Sequence, residues 1–217
     1  MKQERRRVYM KRARRRKMRK SRFGGVMLAV VALIVLRVVG MYYVSAHQKQ
    51  LEYLRYPLRY EEEIIENAQR FALEPWHIAA VVRCESSFRT DAVSSVGAIG
   101  LMQIMPDTGE WLAGKFSEKS IFTESMLYDA GTNLKYGCWY LSWLMNRYGQ
   151  DRTLATAAYH AGHGTVDRWL NDPAVSRDGQ TLSYIPYDST RAYVERVLTA
   201  CEKYQELYDF TASDDAA

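Results

Sequence analysis

Cysteine and histidine are scarce in this sequence, and neither forms a recognisable ligand pattern. The 217 residues contain three cysteines, an odd number with no CxxC pair, which argues against a disulfide scaffold and a structural zinc site. His160 and His163 are three positions apart, but they lie beside glycines with no cysteine or carboxylate in register. We therefore expect polar loop side chains there, and no metal.

Alternating apolar and polar runs, which indicate half-buried strands, are also missing. Helical patterns recur instead, beginning with an amphipathic segment at 60–73 and a more apolar one from Glu74-Pro75 to about Glu85. Further helices are expected at 106–116, 129–149, 151–162, 165–170 and 188–208. The sequence thus predicts a mainly α fold.

Acidic residues are almost absent from residues 1–22, which hold thirteen of the thirty Lys and Arg but one acid, Glu4. The remainder carries seventeen basic and twenty-four acidic residues, a net charge of −7, although the whole chain is +5. An apolar run follows at 23–44 and would span about 33 Å as a helix, enough to cross a bilayer. We predict a basic cytoplasmic segment at 1–22 and a single transmembrane helix, or uncleaved signal-anchor, at 23–46.

This topology places the protein in the cell membrane, single-pass, with its N-terminus cytoplasmic and its remaining chain extracytoplasmic. Arg37 argues against it, since a central charge costs roughly 2.5 to 3.5 kcal/mol on insertion scales, unless its long side chain reaches the interface. A cleaved signal peptide, ending near Val44-Ser45-Ala46, is the alternative. A nucleic-acid arm is a third interpretation of the basic segment, but topology explains it more simply, so no nucleic-acid partner is expected.

Beyond the apolar run, the composition divides the chain into three further parts. We expect a connector at 47–60, polar, rich in tyrosine and broken at Pro57. One helical domain follows at 61–208, and a flexible acidic tail at 209–217 ends the chain.

The segment CESSFRTDAVSSVGAIGLMQIMP, residues 84–106, is the strongest candidate for chemistry. Glu85 ends an apolar helix, and a carboxyl held among apolar groups has a raised pKa, which suits a general acid. Gly97 and Gly100 allow close backbone approach to a ligand, and Gln103 offers an amide. The structural alternative is a solvated glutamate at a helix end, followed by a turn that packs the core.

Several motifs occur in a fixed order: ESSF, DAVSSVGAIGLMQIMPDTG, NLKYGCWYLSWL, AAYHAG with VDRWL, and TRAYVERVL. This series resembles the catalytic domain of the soluble lytic transglycosylase (Slt-type) family from about Glu61 to Tyr208. The resemblance implies a lysozyme-like, mainly α-helical fold with a glycan groove. It also implies that the substrate is the glycan strands of peptidoglycan. The predicted transmembrane helix makes the lipid membrane a second partner. Any partner among the envelope machinery is unknown.

The resemblance also assigns roles to individual residues. Glu85 matches the family's single catalytic acid, and Tyr159 matches the tyrosine expected to contact its carboxyl. The residues that match positions lining the substrate groove are Ser94, Gln103, Met105, Tyr159, His160 and Tyr193. Two positions depart from the family pattern: His160 replaces the usual asparagine, and Ser189 replaces a glutamate and could cap a helix.

A single acid implies a substrate-assisted reaction, in which the N-acetyl group of the sugar acts as the internal nucleophile. We therefore expect a lytic transglycosylase that forms 1,6-anhydro-N-acetylmuramic acid without metal or cofactor. A muramidase that hydrolyses the same bond is one alternative, for which Asp91 or Asp107 would position a water. A membrane-anchored glycan-binding or assembly protein with an inactive site is the other.

Overall fold

The structure is a computed structural model that describes residues 2–210, with the side chains of Met10, Met27, Leu28 and residues 30–210. The chain divides into two compact units between Glu52 and Tyr53. The expected tail at 209–217 lies, from residue 211 onward, outside the described residues.

Helix α1 runs from Lys2 to Arg55, so it forms the described part of the first unit and its last three residues belong to the second unit. Within its segment Val30–Arg55, the most apolar 18-residue window has a mean hydropathy of 1.7 and is not buried, so by length and composition the segment can cross a membrane. A signal sequence meets the same criterion. The helix continues into the expected connector and ends two residues before Pro57, because the residue before a proline disfavours helical geometry.

The second unit contains seven further α-helices and one short 3₁₀ helix within the described residues. The α-helices are α2 Glu61–Phe71, α3 Pro75–Ser86, α4 Pro106–Lys115, α5 Ala130–Arg147, α6 Arg152–Ala161, α7 His163–Leu170 and α8 Asp188–Leu207. Between residues 2 and 210 there is no strand, only isolated bridges from Ile99 to Val93 and Ile104. The mainly α fold and each expected helix are confirmed, whereas the 3₁₀ helix Glu124–Tyr128 was missed.

Local signals explain most helix boundaries. Pro75 and Pro106 occupy first-turn positions, where a missing N–H costs nothing. Asp151 caps α6 by accepting a hydrogen bond from the Leu154 N–H at 2.9 Å, and Gly162 ends that helix at φ 82°. The expected cap at Ser189 is wrong: it lies inside the first turn of α8, whose N-cap, Tyr187, makes no side-chain cap bond.

Helix α3 lies at the centre of the core. All five residues from Ile78 to Val82 are completely buried, so α3 is surrounded on every side. It packs most extensively on α8 and also contacts α2. A second apolar cluster joins the end of α5 to α6 and α7. The rigid packing of α3 fixes the position of its last residues, including Glu85.

Candidate active site

Glu85 is the penultimate residue of α3, where the helix leaves the core. Its side chain is largely, though not completely, buried. One carboxylate oxygen, Oε1, accepts a 2.6 Å hydrogen bond from the hydroxyl of Tyr193, on α8. Tyr193 is only 2% exposed, so the core holds both partners of this bond.

Burial raises the pKa of Glu85 from its ordinary value of 4.5 to about 7. The Tyr193 hydrogen bond and the positive charge of Arg196 both act in the opposite direction and limit the rise. At neutral pH the carboxyl is therefore balanced between its protonated and ionised forms. A group in this state can donate a proton and take one back.

Cys84 precedes Glu85 but does not supply a nucleophile. Burial raises the pKa of its thiol to about 11, so the sulfur stays protonated at neutral pH. Cys138 and Cys201 are buried, and all three cysteines are free. The expectation that Cys84 is a small packing residue is consistent with this environment.

The loop after α3 is held in place by one buried amide, Asn133. Its Nδ2 donates to the carbonyls of Ile99 and Leu127 at 2.9 and 2.7 Å, and its Oδ1 accepts from the Met102 N–H at 2.8 Å. Gly100 adopts φ +81°, and an added Cβ would lie 2.2 Å from Asn133 Nδ2. The close approach expected at Gly100 is thus made to Asn133, whereas Gly97 faces open space.

The contact between Tyr159 and the Glu85 carboxyl that the resemblance implies stays a prediction, and the described hydrogen bond of Tyr159 goes to another partner. The Tyr159 hydroxyl donates to the carbonyl of Met102 at 2.8 Å, and Tyr193 provides the bond to Glu85. Tyr159 is nevertheless close enough for the charge of Glu85 to contribute, after burial, to raising its phenolic pKa. Tyr159 therefore stabilises the loop after α3, next to Glu85.

The three candidate groove residues on this loop have different surroundings. Ser94 is half-buried, and its hydroxyl oxygen accepts from the Ala98 N–H at 2.9 Å. Gln103 adopts φ 50°, and its Nε2 donates to the carbonyls of Ala92 and Gly100 at 3.1 and 2.9 Å. Met105 is 40% exposed at the start of α4. The amide of Gln103 thus stabilises the loop, and the roles of all three toward a substrate stay predictions.

His160 lies close to the Glu85–Tyr193 pair. Its ring stacks on Tyr193 with centroids 4.6 Å apart, and its Nδ1 is 3.1 Å from the hydroxyl of Thr190. Partial burial, and then the charge of Arg196, lower the pKa of His160, so its ring is neutral at neutral pH. A neutral ring suits a position where the family has an uncharged amide.

Arg196 and Thr190 were missed at the sequence level. Arg196 lies one helical turn after Tyr193, with its guanidinium 5.8 Å from the centre of that ring. Its charge acts on both Glu85 and His160. The motif resemblance placed Tyr193 at the site, but the i, i+3 spacing from Tyr193 to Arg196 on α8 did not by itself show that Arg196 also lies there.

No second carboxylate accompanies Glu85 in the part of the chain that the structure describes. Asp91 and Asp107 are both exposed, and no described hydrogen bond joins either to the site. Asp107 lies within the first turn of α4, whose N-cap residue is Met105. Among the described residues, the geometry thus provides one acid that can exchange a proton, hydrogen-bonded to Tyr193 and without an ion pair.

Comparison with known proteins identifies this region. The family model described as Transglycosylase SLT domain matches residues 62–179. The soluble lytic murein transglycosylase of Escherichia coli K12 is 33% identical over 161 residues, covering 74% of this chain and 24% of that protein. Membrane-bound lytic murein transglycosylase C of Actinobacillus pleuropneumoniae serotype 5b is 32% identical over 166 residues, covering 64% and 44%.

Solved structures agree on the fold. The 70-kDa soluble lytic transglycosylase of Escherichia coli superposes with a TM-score of 0.64 at 30% identity, over 71% of this chain and 25% of that one. An inactive mutant of lytic transglycosylase Slt from Pseudomonas aeruginosa, with glutamine in place of a glutamate, gives 0.62 at 34% identity, over 71% and 25%. The chain spans about a quarter of the length of these relatives.

Proposed function

Since this chain belongs to the SLT transglycosylase domain family, we propose that it is a peptidoglycan lytic transglycosylase and that Glu85 is its catalytic acid and base. The observation that carries the proposal is the single carboxyl of Glu85, with a pKa of about 7 and a 2.6 Å bond from Tyr193. The Pseudomonas aeruginosa relative, inactive as a glutamate-to-glutamine mutant, supports the importance of one such carboxyl.

The first step breaks the β-1,4 bond between N-acetylmuramic acid and N-acetylglucosamine. Protonated Glu85 donates its proton to the glycosidic oxygen, and the C1–O bond breaks with its electron pair leaving on that oxygen. The acetamido oxygen of the N-acetylmuramic acid closes on C1 as the internal nucleophile. Glu85 is left ionised, and the Tyr193 hydroxyl stabilises its charge.

The second step uses the same carboxyl in the opposite direction. Glu85 takes the proton from the C6 hydroxyl of the same sugar, and that oxygen attacks C1 and displaces the acetamido oxygen. The product is 1,6-anhydro-N-acetylmuramic acid, and Glu85 recovers its proton. A pKa near the working pH suits a group that must act as acid and then as base.

The remaining site residues have supporting roles in this proposal. Ser94, Gln103, Met105, Tyr159 and His160 bind the glycan strand or hold the loop that binds it. His160 is neutral and can either donate or accept one hydrogen bond where the family's amide does so. Tyr193 both binds the glycan strand and orients the Glu85 carboxyl.

The hydrolytic alternative requires a carboxylate that positions water, and it is less well supported. Asp91 and Asp107, the two candidates, are exposed and have no described hydrogen bond to Glu85. A binding protein without activity would have no need for a buried, proton-sharing carboxyl, since burial of such a group costs stability.

We further propose that α1 anchors the protein in the cell membrane through residues 23–46. The basic segment 1–22 would then lie in the cytoplasm, and the catalytic domain, residues 61–208, outside it. Residues 47–60 would keep the domain close to the membrane. The apolar segment Val30–Arg55 and the membrane-bound relative from Actinobacillus pleuropneumoniae support anchoring.

The test is mass spectrometry of muropeptides released from purified peptidoglycan by the full-length protein in a nonionic detergent. We expect products one water lighter than reducing-end muropeptides, and none from the Glu85→Gln variant. Reducing-end products would identify a hydrolase. An absence of products from both proteins would favour the binding protein.

A further inference from the structure

A second concave site lies beside Glu85 without including it. It is a pocket of about 380 Å³ between the end of α3 and the exposed face of α8, and Arg55 also lines it. Cys84 lines it from α3, and Tyr56 lines it from the chain just after α1. We call this site the arginine pocket, because Arg55, Arg83 and Arg196 all line it.

The charges of the arginine pocket are not balanced by its own residues. Its lining contains three guanidinium groups and a single acid, Glu195. Among the described residues, none of the three arginines lies within 4.0 Å of a carboxylate. Three neighbouring positive charges without counter-ions favour the binding of an anion. Guanidinium groups match the two oxygens of a carboxylate through paired hydrogen bonds.

Two of the arginines are held in position before any ligand binds. Arg83 donates from Nε to the carbonyl of Arg55 at 3.0 Å. The guanidinium carbons of Arg83 and Arg55 lie 5.9 and 5.8 Å from the centre of the Tyr56 ring. This arrangement reduces the entropy that the side chains lose on binding, and it leaves their terminal N–H groups available for a ligand.

The arginine pocket adjoins the candidate active site through Cys84 and Arg196. Cys84 is the neighbour of Glu85 in α3, and Arg196 lies 5.8 Å from the ring of Tyr193, which donates to Glu85. A ligand held by Arg196 is thus one aromatic ring away from the acid. In the proposed substrate, the peptide stem is attached to the same N-acetylmuramic acid whose bond is broken, so its carboxylates can reach this position.

We propose that the arginine pocket binds a free carboxylate of the peptide stem on the strand being cleaved, so that stem-bearing glycan is the preferred substrate. This inference rests on the proposed function. A bound carboxylate offsets the charge of Arg196, and Glu85 then keeps its proton more firmly at neutral pH. Binding of the peptide stem thus increases the fraction of Glu85 that is protonated.

The experiment compares two muramyl peptides, one with free stem carboxylates and one with those carboxylates amidated. Full-length Glu85→Gln protein in a nonionic detergent is titrated with each by calorimetry, so that no cleavage occurs. We expect the free-carboxylate peptide to bind about tenfold more tightly, as one charge-assisted hydrogen-bond pair provides. Adding Arg83→Gln or Arg55→Gln should remove this difference.

Arg177→Gln is the matched control, because Arg177 is exposed and does not line the pocket; it should leave the difference unchanged. Arg55 is also exposed, so Arg55→Gln keeps the test decisive if Arg83→Gln weakens the fold. Equal binding of the two peptides, or a difference that survives both pocket variants, would overturn the proposal. Competition by inorganic phosphate or anionic vesicles stronger than by the free-carboxylate peptide would also overturn it, in favour of a phosphoryl ligand.

This test separates the inference from the proposed function. Carboxylate-dependent binding together with an absence of cleavage products would support the arginine pocket as a carboxylate site and contradict the proposed transglycosylase activity. Cleavage with equal binding of both peptides would do the reverse.

Discussion

Two glutamates in this domain each accept a hydrogen bond from a tyrosine, but their pKa values are shifted in opposite directions. Glu85 accepts from Tyr193 at 2.6 Å, and Glu118 accepts from Tyr136 at 2.8 Å; both tyrosines are almost completely buried. Burial raises the pKa of Glu85 to about 7. The pKa of Glu118 is lowered, chiefly because Lys135 donates hydrogen bonds to it.

The pKa difference comes from the burial of Glu85 and from the cation beside Glu118, and not from the tyrosine. Lys135 Nζ lies 2.7 and 2.9 Å from the two carboxylate oxygens of Glu118. Within residues 30–210, Glu85 has no comparable ion pair, and Arg196 acts on it only through its field. A tyrosine hydrogen bond alone is therefore compatible with a protonated acid, whereas direct contact with an ammonium group keeps a carboxylate ionised.

The largest expected difference between the two glutamates is in catalysis. Glu85→Gln should reduce peptidoglycan cleavage about a thousandfold or more, because it removes both the acid and the base. Glu118→Gln should change cleavage by no more than about twofold, since that carboxylate remains ionised and unreactive. Muropeptide release from the full-length proteins measures both. Similar losses in the two variants would show that the substitutions act through folding.

The same substitutions should change stability with opposite signs at pH 8. Glu85 binds its proton more tightly when folded, so its contribution is fully present below pH 4.5 and is lost as pH rises through about 7. Glutamine does not titrate, and Glu85→Gln should raise the free energy of unfolding by about 2 to 3 kcal/mol. Glu118→Gln should lower it by about 1 kcal/mol, because the partly exposed ion pair is lost.

Chemical denaturation at pH 4 and pH 8 provides the control for this prediction. The gain from Glu85→Gln should be absent at pH 4, where the carboxyl is protonated in both the folded and unfolded chains. A gain of equal size at both pH values would mean that packing, and not the proton, causes it.

A smaller effect is expected when the tyrosines are changed. The Tyr193 hydroxyl lowers the pKa of Glu85, so Tyr193→Phe should move the alkaline limb of the activity profile to higher pH. It should also slow cleavage several-fold, since the ionised intermediate form of Glu85 loses a donor. Tyr136→Phe should leave the limb in place. A shift to lower pH in Tyr193→Phe would contradict this account.

The smallest expected effect concerns the ion pair itself. Lys135→Met should let the pKa of Glu118 rise and should cost about 1 kcal/mol of stability at neutral pH. Because the folded pKa of Glu118 is lowered, this contribution is present above pH 4.5 and is lost as pH falls through the folded pKa. Denaturation should show the full cost at pH 7 and a smaller cost at pH 3. The activity profile serves as the control and should not move.

The position of Glu85 was predictable because it depends on local sequence. The apolar run from Trp76 to Val82 predicted a buried helix, and Pro75 marked its start. An acid at the end of that helix was therefore expected to be held firmly. The 3₁₀ helix at Glu124–Tyr128 had no comparable signal, since Leu127 is its single buried residue.

The partners of Glu85 were not predictable in the same way, because they depend on tertiary contacts. Tyr193 is 108 positions away and reaches Glu85 only because α8 packs on α3. Asn133 donates a hydrogen bond to the backbone of Ile99, 34 positions away. Because Asn133 lies so close, position 100 has no room for a side chain and requires glycine. Motif resemblance identified Tyr193 as a site residue, but not as the donor to the acid.

The most direct test of the account is the titration of the Glu85 carboxyl by ¹³C NMR in full-length protein, with Glu118 observed in the same spectra. We expect Glu85 to titrate near pH 7 and Glu118 below its ordinary value of 4.5. If Glu85 instead titrated near 4.5, its carboxyl would be ionised at neutral pH. It could not then be the proton donor on which the proposed mechanism depends.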